Sequence, residues 1–190
     1  MRAKITMTER PTHDTKTRVA ILDAAEAQFS ASGYRASRLV DVTDRAGLTT
    51  GALYRYFDGK EGLLHALFER FDLELQRRID RSRTVVDAVT AWLDLARTMP
   101  GTMRAYEEAM PSGSPMAATI EVARSRWIAG LATIVPGTAT AGKRRILATL
   151  ICDMVEQYSL VERMGWTQHR PIERVAREIG TLVEVGASAQ

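Results

Sequence analysis

Apolar residues recur along most of this chain at three- and four-residue intervals and nowhere alternate strictly, so the pattern predicts helices and no strands. Val19, Leu22, Ala25 and Phe29 mark a first helix, capped by Asp14 or Thr15 and stopped at Gly33. A short second helix follows a cap at Ser37, with Leu39, Val42 and Ala46 on one face and Arg38, Asp41 and Arg45 on the other; Gly47 ends it. Thr49 caps a third helix carrying Ala52, Leu53, Tyr54, Tyr56 and Phe57. Asp58-Gly59-Lys60-Glu61 has the spacing of a capping box and opens a long helix. That helix buries Leu63, Leu64, Leu67, Phe68, Phe71 and Leu75 and fades near Arg83.

The remainder reads the same way. Segment 84–98 is amphipathic through Val85, Val89, Trp92 and Leu93, and Pro100-Gly101 breaks it before a short helix over 102–110. Residues 111–115, Pro-Ser-Gly-Ser-Pro, are the clearest loop. Segment 116–134 aligns Ile120, Ala123, Trp127, Leu131 and Ile134, and two helices over about 141–165 and 171–185 complete the chain. The expected fold is all-α, with about nine helices. A flexible arm (1–13) precedes a three-helix unit (14–60) and a larger helical domain (61–190).

The stretch 33–61, GYRASRLVDVTDRAGLTTGALYRYFDGKE, carries the chemistry. Two short helices joined through Ala46-Gly47-Leu48 form a helix-turn-helix, in which glycine permits the sharp turn and leucine anchors it. A helix fits the major groove of B-DNA, and the first residues of the second helix meet base edges there. Thr49, Thr50, Gly51 and Ala52 supply a narrow tip, with hydroxyls for bases or phosphates and a methyl for thymine. Tyr54, Tyr56 and Lys60 flank the groove and reach phosphates, and Ser37 sets its hydroxyl and helix N-terminus against the backbone. Arg38 and Arg55 are the nearest added cations. Leu53 and Phe57 belong to the core.

Charge agrees modestly. Residues 1–60 hold ten Lys/Arg and seven Asp/Glu, whereas residues 61–190 hold sixteen of each, so the whole excess of +3 lies in the first third. Cys152 is the sole cysteine, which rules out an intrachain disulfide and a cysteine zinc cage; its apolar neighbours make it a buried small hydrophobe. His13, His65 and His169 form no ligand pair, and no metal or cofactor is expected. No Ser/His/Asp set or phosphate-binding glycine loop stands out, so the chain is not read as an enzyme. No apolar run approaches a membrane span and the start has no signal-peptide core; the expectation is a soluble, cytoplasmic protein.

Gly47, Gly51, Leu53-Tyr54, Tyr56-Phe57 and Lys60-Glu61 together resemble the signature of the TetR/AcrR family of transcriptional regulators, over residues 16 to 67. Thr43, Val40 and Thr50 depart from it: alanine, a polar residue and a basic residue are common at those places. The resemblance implies a DNA-binding repressor released from an inverted-repeat operator by a small-molecule effector. It also implies a homodimer formed by the last two helices as a four-helix bundle. The broad apolar stripes there, Ile146, Leu150, Ile151, Ile172, Val175, Ile179 and Leu182, suit that interface.

Trp92, Met99, Met103, Tyr106, Met110, Trp127, Met154 and Tyr158 gather on the helices that would line an effector pocket. Each alone is ordinary core; together they suit an adaptable apolar wall. Glu107 and Glu108 could select a cation or simply face solvent. A filled C-terminal core would favour a DNA-binding protein without ligand control.

Overall fold

A computed structural model of the chain describes residues 13–109, 116–137 and 139–189. Among them it has nine helices and no strand: α1 (His13–Ser32), α2 (Leu39–Ala46), α3 (Thr50–Leu53), α4 (Gly59–Arg81), α5 (Val85–Thr98), α6 (Pro100–Ala109), α7 (Met116–Ile134), α8 (Ala141–Arg163) and α9 (Ile172–Ser188). The arm expected at 1–13, apart from His13, and the loop at 111–115 lie outside the described residues.

The α4 stripe organises the packing. Leu63, Leu64, Leu67, Phe68, Phe71, Leu75 and Ile79 are all buried, one face of a 3.6-residue repeat over about five turns. Side chains of this size contribute roughly 1.5–3 kcal/mol each when fully buried. One end of α4 meets α1; further along it meets α5, α6 and α7. Around it α5 packs on α9 and α7 on α8, so the buried residues form one continuous core. The boundary expected at residues 60/61 falls in the first turn of this continuous helix.

Four local expectations need correction. The N-cap of α2 is Arg38, not Ser37; Asp41 Oδ2 accepts from the Arg38 N–H, and Ser37 is buried behind it. Asp58 precedes α4 but makes no side-chain cap bond. Regular helix in α3 stops at Leu53, and Tyr54 to Tyr56 continue as a turn. Pro100 and Gly101 do not break the chain between helices: they are the first turn of α6, where a proline's missing N–H costs nothing.

That first turn is held by a residue far away in sequence. Glu26 on α1 accepts from the Gly101 N–H at 2.6 Å, the Thr102 N–H at 2.9 Å and the Thr102 hydroxyl at 2.5 Å. The approach is close enough that Gly101 is obligatory. A Cβ there would lie 2.0 Å from the Glu26 carbonyl oxygen and 2.8 Å from the Ser30 nitrogen, both α1 backbone atoms with nowhere to retreat. Gly101→Ala is therefore expected to destabilise the fold by about 2 kcal/mol or more. Urea unfolding measures this, and an unchanged midpoint would contradict the packing described.

Candidate nucleic-acid interface and core cavity

The turn between α2 and α3 is a left-handed glycine cap: Gly47 has φ 67°, and the Leu48 N–H returns to the Thr43 carbonyl at 2.9 Å. Leu48 packs half-buried on the core, while Val42, Leu53 and Phe57 are buried. The apolar backs of both helices are thus fixed, and their other side faces solvent. Thr49 caps α3, its Oγ1 accepting from the Ala52 N–H at 3.2 Å. Thr49 and Gly51 are exposed; Thr50 and Ala52 are half-exposed, and Thr50 Oγ1 lies 3.5 Å from Thr43 Oγ1. The Tyr54 ring is 57% exposed, too open to be a packing residue, and the Arg55 guanidinium lies 5.9 Å from the Tyr56 ring centroid. Thr49, Thr50, Gly51, Ala52, Tyr54 and Arg55 thus form the exposed and half-exposed edge of this short helix and the turn after it.

The other expected DNA contacts are engaged differently. Ser37 is buried, and its hydroxyl donates to the Gly33 carbonyl at 2.6 Å, so its one O–H is not free to donate to a phosphate. Lys60 Nζ donates to three carbonyls, Tyr34 at 2.9 Å and Arg35 and Ser37 at 3.1 Å, and sits 4.8 Å from the Tyr34 ring centroid. It ties the start of α4 to the loop between α1 and α2. The Tyr56 hydroxyl donates to Asp14 at 2.8 Å. Arg38 is exposed and pairs with Asp41 at 2.9 Å, which holds the Asp41 carboxyl below its ordinary range.

Trp92, Met103, Tyr106 and Trp127 do line a common cavity, together with Phe68 and Phe71. Trp92 meets Trp127 edge-on at 5.2 Å, and Phe68 stacks on Tyr106 at 6.0 Å. Buried Asp72 fixes the wall, accepting from Trp127 Nε1 at 2.9 Å and from Arg126 at 2.5 Å. The free volume is about 40 Å³, room for only a few waters. Met99, Met154 and Tyr158 are not part of this lining: Met99 sits at the junction of α5 and α6, and the Tyr158 hydroxyl donates to Glu162 at 3.1 Å. Met110 lies outside the described residues. Glu107, Glu156, Ser159 and Arg163 add a polar side that composition alone did not indicate. Glu107 and Arg163 are ion-paired and also line an open cleft of about 540 Å³ beside Ser30 and Arg104.

The residues that sequence reading missed are those that fasten α6 to α1. Besides Glu26 at its start, Glu108 near its end accepts from the Arg35 N–H at 2.8 Å and from Arg104 Nε at 3.1 Å. Arg104 Nη1 in turn donates to the Ser30 carbonyl at 3.2 Å. One signal was available: Met99-Pro100 opens a helix with no capping oxygen of its own, so its free N–H groups must find one elsewhere. Glu108 thus neither faces solvent freely nor enters the cavity.

The stripe on the last two helices divides. Ile146, Leu150 and Leu182 are exposed at 63%, 49% and 63%, and Val185 joins them. Ile151, Val175 and Ile179 are buried within the chain's own core and Ile172 is half-buried, because α9 packs on α5 as well as α8. Those four do not form the outward face. Cys152 is fully buried, and burial raises its thiol pKa. No group of three metal-ligating side chains occurs among the described residues, and no helix there is long and apolar enough to cross a membrane.

A glycine-turned helix pair on an otherwise α-helical body defines the class, a helix-turn-helix protein. Residues 21–67 match the family profile described as bacterial regulatory proteins, tetR family. The repressor KstR2 of Rhodococcus jostii is 36% identical over 69 residues, 34% of each chain, so the match spans about a third of that relative's length. A TetR-like regulator from Rhodococcus sp. RHA1 superposes with a TM-score of 0.72 at 18% identity, covering 95% of this chain and 100% of the other. The regulator FadR of Bacillus subtilis, solved with stearoyl-CoA, gives 0.70 at 18% identity, covering 88% and 98%. Residues 21–67 are thus similar to the DNA-binding region of TetR-family regulators, and the fold over most of the chain is the one such regulators share.

Lys60 separates two roles that the sequence merges. Replacing it with methionine leaves three carbonyls without their donor and should cost about 1 kcal/mol or more of stability. Thermal unfolding of Lys60→Met reads this directly; an unshifted Tm with weakened DNA binding would return Lys60 to the phosphate-contact role.

Proposed function

We propose that this chain is a homodimeric, sequence-specific repressor that leaves an inverted-repeat operator when a small molecule enters its C-terminal core. The observation that carries the proposal is the exposed and half-exposed edge of Thr49, Thr50, Gly51, Ala52, Tyr54 and Arg55, whose supporting helices are locked by Val42, Leu53 and Phe57. Thr49 to Ala52 meet base edges; Tyr54, Arg55, Arg38 and Tyr56 meet phosphates. Ser37 and Lys60 act from behind, by fixing the loop that presents Arg38. Residues 14–60 serve DNA and 61–190 serve sensing and assembly. The relatives support this reading, one being named a repressor and another solved with an acyl-CoA.

A two-fold dimer through Ile146, Leu150, Leu182 and Val185 would present two such edges to two half-sites. Coupling runs through α6. Its one side carries Met103, Tyr106 and Glu107 to the cavity; its two ends hold α1 through Glu26 and Glu108. A ligand that repositions α6 changes the spacing of the recognition edges, and operator DNA must weaken ligand binding by the same factor.

The small volume of the cavity favours a second reading, a repressor without ligand control. It predicts that no small molecule lowers operator affinity, a screen to run once an operator is known.

Selection of bound sequences from random DNA by the purified chain, at near-physiological salt, tests the main proposal. We expect an inverted repeat to be enriched, and the enrichment to vanish in Thr50→Arg and in Tyr54→Ala. Leu150→Glu with Leu182→Glu should abolish the repeat by dissociating the dimer, visible in sedimentation. Salt-sensitive binding with no enriched sequence would mean charge-driven attachment only and would overturn the operator reading.

A further inference from the structure

The core cavity contains two buried polar atoms with no hydrogen-bond partner among the described residues, Ser159 Oγ and Arg163 Nε. Both can donate, and a guanidinium can do nothing else. Glu107 takes one Nη2 of Arg163, leaving its planar fork half used. Burial lowers the Arg163 pKa to about 10, so the group stays charged at neutral pH in a place that solvates it poorly. The nearby acids are already satisfied: Arg124 pairs with Glu156 and Asp153, and Asp72 is held by Trp127 and Arg126. The cavity therefore offers unused donors beside flat aromatic walls, the complement of an aromatic ring that carries an anion.

We propose that this cavity binds a planar aromatic carboxylic acid, whose carboxylate replaces Glu107 on Arg163 and accepts from Ser159 while its ring lies against Trp92 and Trp127. The proposal rests on the reading of the chain as a ligand-controlled regulator and names the ligand's chemical class. Glu107 and Arg163 line both the 40 Å³ cavity and the 540 Å³ outer cleft, so parting them joins the two spaces. The joined volume falls in the range that small-molecule sites use. The same step releases α6 from α8, because Glu107 is its ion-pair tie to that helix, while Glu26 and Glu108 still hold it to α1.

The test uses the full chain carrying Trp166→Phe. Trp166 is 75% exposed, so the remaining fluorescence comes from Trp92 and Trp127 at the cavity. Para-nitrobenzoate is titrated against its neutral isostere para-nitrobenzamide. We expect saturable quenching by the acid and about tenfold weaker binding of the amide, the size of one lost charge-assisted contact. Ser159→Ala should weaken the acid about threefold. Glu107→Gln should strengthen it severalfold by removing the competing carboxylate, an effect that a purely structural ion pair would not give. Equal binding of acid and amide, absence of saturable quenching, or weaker acid binding in Glu107→Gln, as a cation site would show, each overturns the proposal. No DNA enters this assay. Failed quenching with operator selection intact overturns only the ligand class. Acid-selective quenching without operator selection overturns the regulator and leaves the site.

Discussion

The first turn of α6 begins at Met99-Pro100 and brings no side-chain oxygen to its own free N–H groups, so its position depends on a carboxylate supplied by α1. Glu26 meets that need with three short hydrogen bonds to a helix N-terminus, where negative charge is favoured by the aligned peptide dipoles. The contact works only because Gly101 lets the two backbones touch. Much else in the molecule is arranged around it. With α6 pinned at its start, Arg104 and Glu108 fall opposite Ser30 and Arg35, and the next face of the helix closes the aromatic cavity. The helix that ends the cavity is therefore the helix on which α1 of the helix-turn-helix unit rests.

The helices themselves were legible because the information is local. Leu63, Leu67, Phe71 and Leu75 announce α4 at helical spacing, and Gly47 and Thr49 announce the turn and cap of the helix-turn-helix. The exposed helix start at Thr49 to Ala52 was legible for the same reason, since a small, polar N-terminus on a short helix needs no distant partner to be recognised. Ser37 and Lys60 misled in an instructive way. Their residue types and spacing suit phosphate contacts, yet both polar groups are drawn inward to backbone carbonyls of the α1–α2 loop. Buried carbonyls must be satisfied, and that demand is invisible until the loop has a shape.

Contacts between distant segments were not legible. Glu26 lies 76 residues from Thr102, and Arg163 lies 56 residues from Glu107. Nothing in the periodicity of α1 or α8 distinguishes these charged positions from exposed ones such as Lys16 or Arg145. The stripe on α8 and α9 failed for a related reason. A wide apolar face can be wide because it serves two neighbours, and here Ile151, Val175 and Ile179 serve the chain's own interior while Ile146, Leu150 and Leu182 remain outside. Periodicity gives the face of a helix but not which of two partners covers each part of it.

Magnitudes decide how much motion regulation would require. Allosteric coupling between two sites is typically about 1–3 kcal/mol. A charge-assisted hydrogen bond contributes on the order of 1.5–3 kcal/mol, so exchanging the partner of one buried guanidinium is already comparable to the whole coupling. Arg163 is such a group: part-buried, paired once to α6, and still holding an unused donor. The cavity beside it is nearly filled, and a packed interior does not deform gradually. An arrangement with two discrete partners for one arginine, and a helix that is tied or released accordingly, needs no large pre-formed pocket to act as a switch. The small volume is then what a poised ion pair would be expected to leave before a ligand parts it.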